Sequence, residues 1–87
     1  MKTLLSLTDL IPGELYRGYS GKHDLLPYYI KFGKRYEPLT EELLFLFIEN
    51  TNHIEPGNGY IYKILVGNEI GYGAIWDVKK DKVFEKV

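Results

Sequence analysis

The chain predicts a small all-β barrel of about five to six short antiparallel strands. Three observations carry this. Turn signals recur at short intervals: Pro12-Gly13, Gly18 to Gly21, Gly33-Lys34, Glu55-Pro56-Gly57-Asn58-Gly59 and Gly67-Asn68. The runs between them are short, and several alternate along the chain, as strands of a meander or small barrel do. Aromatic residues are abundant (eight Tyr, four Phe and one Trp), and these types fit a pleated, half-buried surface. Eighty-seven residues allow one domain, residues 1–87, because a second core would have nowhere to form.

Leu15 to Tyr19 reads as the first strand and Pro27 to Phe32 as the second. In the second, Tyr28, Ile30 and Phe32 share one face, and Tyr29 and Lys31 the other. Gly33-Lys34 fits a two-residue hairpin turn, with Arg35 to Leu39 returning. Glu41 to Asn50 admits two readings. Thr40 could cap one short helical turn, with Glu41 and Glu42 against its positive end. Leu43 to Ile48, six apolar residues unbroken, equally suits a buried strand, and its two Phe and one Ile favour that reading. Tyr60 to Val66 and Ile70 to Trp76 form a hairpin around Gly67-Asn68. Gly71 and Gly73 mark a bend or a close backbone approach. Val83 to Val87 closes the sheet.

Composition removes several classes of function. Hydrophobic residues make up 45% of the chain and charged residues 26%, which excludes a disordered tail or a membrane span. With no cysteine, disulfides, zinc fingers, iron–sulfur clusters and thiol catalysis are excluded. The start, Met1-Lys2-Thr3-Leu4-Leu5, is too short an apolar run for a signal peptide, and Asp9 interrupts its continuation. A cytoplasmic location is therefore expected. Net charge is only −1, against a generally basic nucleic-acid-coating protein. The balance is uneven along the chain. Arg17 to Tyr36 holds Arg17, Lys22, Lys31, Lys34 and Arg35 against Asp24 alone. Glu37 to Gly59 holds five glutamates and no Lys or Arg.

Leu15-Tyr16-Arg17-Gly18-Tyr19 resembles the Ala-Leu-Tyr-Asp-Tyr stretch that opens SH3 domains. The subsequent order is also similar: a hydrophobic strand (Leu43 to Ile48), a turn into an aromatic-led strand (Asn58 to Lys63), and a hairpin into Gly71-Tyr72. Leu65 to Ile70 resembles the second motif of Sm-like proteins. The resemblance implies a small SH3-like or Sm-like barrel over about residues 13–87. Stand-alone barrels of phage proteins look similar too. Tyr60 stands where the SH3 peptide groove has Trp, and Ala74 where it has Pro. Val66 stands where the Sm motif carries an RNA-holding Arg. Neither Pro-rich peptide recognition nor ring-type RNA binding is implied.

The most suggestive segment interleaves Tyr19, Tyr28, Tyr29 and Tyr36 with Arg17, Lys22, Lys31, Lys34 and Arg35. Aromatic faces stack bases and cations track phosphates, so these residues are candidates for single-stranded nucleic acid. The ordinary alternative is tyrosines half-buried in strands and lysines in solvent. Gly18 to Lys22 is similar to part of a phosphate loop but has Tyr16 and His23 where Gly and Ser or Thr are needed. Ser20, His23 and Asp24 are near neighbours in sequence, an arrangement that seldom converges as a triad. His53 and Glu55 are too few for a metal site, and Glu41-Glu42 suggests no acid–base partner. The run Leu43 to Ile48 reads as a core strand, or as an edge that pairs with another copy. The expectation is a non-catalytic binding or assembly module without a cofactor. It would act as a homo-oligomer or on a protein partner, and the alternative is weak single-stranded nucleic-acid binding.

Overall fold

A computed structural model describes residues 3–19 and 28–87. Eight strands run β1 (Leu4–Leu5), β2 (Leu15–Gly18), β3 (Tyr29–Phe32), β4 (Arg35–Pro38), β5 (Leu44–Glu55), β6 (Gly59–Val66), β7 (Glu69–Ile75) and β8 (Phe84–Lys86). They form one antiparallel sheet in the order β1-β8-β2-β5-β6-β7-β3-β4, curled into a half-barrel. The all-β class holds. The count of eight exceeds the expected five to six: all seven segments read as strands form strands, and the two-residue β1, paired with β8, adds one more. The apolar run is strand, not helix. At Thr40 there is one hydrogen-bonded turn, with the Leu43 amide donating to the Thr40 carbonyl at 3.1 Å. The helical element among the described residues is a 3-10 turn at Leu7–Asp9. The Ser6 amide and hydroxyl both donate to the Asp9 carboxylate there, at 2.9 Å each. Those bonds hold Asp9 below the ordinary carboxylate pKa.

Local chemistry sets the hairpins. Phe32 pairs with Arg35 and Val66 with Glu69, so each intervening turn has two residues. Gly33 (φ 62°) and Gly67 (φ 61°) occupy the first positions, where a side chain would be strained. Between β5 and β6, Pro56 fixes the second turn position and Gly57 (φ 84°) takes the left-handed third.

β5 is the spine. Its first residues pair with β2 on one side and β6 on the other, so Leu44 to Phe47 lies inside the sheet rather than at an edge. Its register with β6 then slips twice, between Phe47 and Glu49 and between Asn50 and His53. Extra residues on one strand bend it and increase its twist, and here they help curl the sheet. The second bulge is tied locally: the Thr51 hydroxyl donates to the Ile61 carbonyl at 2.7 Å, and Asn52 sits at φ 60°.

The concave face holds the core. Tyr16, Phe45, Phe47, Tyr62, Ile64, Ile75, Ile30, Phe32 and Phe84 fill it, with Leu7, Leu10, Leu39 and Val83 closing it. Phe84 meets Tyr62 edge-on at 5.4 Å and Phe45 at 5.9 Å. The β7 glycines line this face. A Cβ at Gly71 would come within 2.7 Å of Ile30 and Phe32, and one at Gly73 would overlap the Tyr62 ring. The close approach expected of this pair is therefore an approach of large side chains to bare backbone. By alternation, Ile70, Tyr72 and Ala74 point to the opposite, convex face.

Candidate functional site

The structure divides the basic–aromatic segment. Arg17 lies on β2, where its Nε and Nη2 donate to Glu85 Oε1 at 2.9 and 2.6 Å. Tyr19 is half-buried, with its amide on the Val83 carbonyl. Tyr28 packs against the core; burial and then the neighbouring Asp81 carboxylate raise its phenol's pKa. Arg35 pairs with Phe32 on the concave side, stacks over that ring at 5.0 Å, and bonds Glu37 and Glu69 at 3.2 Å each. Tyr29 and Lys31 are exposed on the convex face of β3, and Lys34 is exposed in the turn. Lys22 lies outside the described residues, as do Ser20, Gly21, His23 and Asp24 of the phosphate-loop and triad readings. Both arginines of the segment are thus engaged by glutamates from other parts of the chain.

What does converge is on the convex face of the sheet. Directly paired residues of neighbouring strands share a face, so the register places side chains in rows. Leu15 pairs with Leu46, Leu46 with Leu65, and Leu65 with Ile70. This is an unbroken apolar row across β2, β5, β6 and β7, with Leu15 (49%) and Ile70 (41%) exposed at its ends and Leu46 and Leu65 half-buried between them. The adjacent row runs Glu49, Lys63, Tyr72, Lys31 and Tyr36 across β5, β6, β7, β3 and β4. Lys31 stands between two tyrosines there, its Nζ 5.8 Å from the Tyr36 ring centre. Tyr36 is 62% exposed. Tyr29 is exposed beyond this row, and so is Trp76 just past β7.

Sequence reasoning found Tyr29, Lys31 and Tyr36 because they lie in one hairpin. It missed the leucine row, whose members come from four strands. The available signal was that β5, β6 and β7 carry apolar residues on both faces, one face more than a one-sided core needs.

Reactive chemistry is sparse on this surface. Among the described residues, no three of His, Asp and Glu gather as metal ligands. His53 and Glu55 are exposed on the β5 arm, and Glu41 and Glu42 are exposed in the turn after Thr40. No helix among the described residues is long and apolar enough to cross a membrane. Compared with protein-family models, curated proteins and solved structures, the chain matches none.

Proposed function

We propose that this chain is a non-catalytic binding and assembly module of the SH3-like or Sm-like small-barrel type, and that its convex sheet face is the contact surface for protein. The observation that carries this is the leucine–isoleucine row. Four apolar side chains aligned across four strands form a contiguous strip, unlike singly scattered surface hydrophobics, and such strips mark association surfaces. The barrel type draws support from strand order: the segments that carry the resemblance form β2, β5, β6 and β7, neighbours in that sequence. The test is a photo-cross-linking residue placed at Leu65 in cells that naturally make the protein, with a control at Asn58 in the β5–β6 turn. The expected result is a nuclease-resistant protein adduct from position 65 and not from 58. An adduct destroyed by nuclease, or none, would contradict it.

A second reading, single-stranded nucleic acid, is favoured by one arrangement: Lys31 between Tyr36 and Tyr72 on an open sheet. Stacked bases and a tracked phosphate fit such a platform. The engagement of Arg17 and Arg35 reduces the cations it can call on. Anisotropy titrations with short labelled RNA and DNA at two salt concentrations decide it, since phosphate contacts weaken steeply with salt.

A further inference from the structure

We propose that the partner on the convex face is a second copy of this chain, docked face to face about a two-fold axis parallel to the strands between β6 and β7. This rests on the reading of that face as a protein contact surface and specifies its occupant. The argument is self-complementarity within the register. A two-fold axis in that position carries β6 over β7 and β5 over β3 of the second copy, and leaves each row on itself. In the charged row, Glu49 then faces Lys31 of the second copy, and Lys63 faces the open ring of Tyr72. In the apolar row, Leu65 faces Ile70. One position further along, Ile61 faces Ala74. At the centre of the two rows the contact is complementary: acid on base, cation on aromatic, apolar on apolar.

The alternative axes fit less well. An axis along β6 would set Lys63 against its own copy, and one along β3 would do the same to Lys31. The two convex faces come closest at β6 and β7, about 10 Å apart as packed sheets are, and diverge towards β5 and β3, where the long side chains of Glu49 and Lys31 reach across the wider gap. Glu49 and Lys31 are both exposed and lie on either side of the row's centre, so the pair occurs twice in the dimer.

The test is sedimentation equilibrium of the purified full chain and three variants, Lys31→Glu, Glu49→Lys and the double variant, with circular dichroism to show that each folds. The chain is expected to dimerise. Either single swap should weaken the dimer about tenfold, and the double swap should restore it to within roughly threefold, because each lost pair is reversed rather than removed. A dimer indifferent to the single swaps, or not restored by the double, would overturn this docking. A mass that stays monomeric at the highest soluble concentration would overturn the second copy as partner. A protein adduct at Leu65 alongside a monomeric chain would leave the contact surface standing with a different protein on it. Loss of both would end the reading itself. Nuclease-sensitive adducts alone would assign the face to nucleic acid.

Discussion

Tyr62 is held on several sides in the core. Its ring is fully buried, lies over Gly73 and meets Phe84 edge-on. Its hydroxyl has no hydrogen-bond partner among the described residues, unlike the buried Tyr16 hydroxyl, which accepts the Ile11 amide at 2.9 Å. An unsatisfied buried hydroxyl costs about 1–3 kcal/mol. Tyr62→Phe is therefore expected to unfold at higher urea concentration than the parent, by roughly 1 kcal/mol. A loss of stability would show that the hydroxyl is bonded in solution. Burial also raises this phenol's pKa far above its ordinary 10.0. A raised folded pKa favours the neutral form, so the stabilisation is complete below about pH 10 and declines above it as the unfolded chain ionises. Alkaline urea titrations should show that decline, and Tyr62→Phe should lessen it. Gly73→Ala is expected to cost about 3 kcal/mol, because the added methyl meets the ring that the glycine admits.

At the scale of elements, the legible features of the sequence were local. Gly33-Lys34 and Gly67-Asn68 were legible because a two-residue turn with glycine first needs only its own residues and their flanking alternation. The β7 glycines were legible as a close approach, but the side chains that Gly71 accommodates were not, since Ile30 and Phe32 lie about forty residues away in sequence. Leu43 to Ile48 was ambiguous because an apolar run has no period. The pairing of β5 with both β2 and β6 settled it as a strand. The β5 bulges left no pattern beyond a polar stretch, Asn50-Thr51-Asn52. Their conformation is testable at Asn52, whose φ of 60° a β-branched residue resists. Asn52→Val should lose about 1–2 kcal/mol, while Asn52→Gly should stay close to the parent. Equal tolerance of both in thermal melts would contradict this bulge geometry.

For the molecule as a whole, the candidate site was legible only where its members share a hairpin. The sequence counts Arg17 and Arg35 as part of a basic segment. The fold brings Glu85 to one from 68 positions away and Glu69 to the other from 34. Long-range pairing thus engages both arginines of the basic segment with glutamates that lie outside the acidic one. The same pairing creates the leucine row, which no segment contains by itself. A small curled sheet with its core on one side leaves the other side as the natural place for contact, and here that side is apolar along one row and self-complementary in charge along the next. An assembly built this way should persist in high salt through its apolar row, losing only the contribution of the exposed Glu49–Lys31 pairs. A single-stranded nucleic-acid complex would instead collapse.

The most direct measurement is a series of amide NMR spectra of the full chain from micromolar to millimolar concentration. The expected result is concentration-dependent shifts and broadening along Leu46, Leu65, Ile70, Tyr72 and Lys31, with core residues such as Phe45 and Ile64 perturbed least. Spectra unchanged over the whole range, or changes confined to the edge strands β1 and β4, would contradict assembly through the convex face.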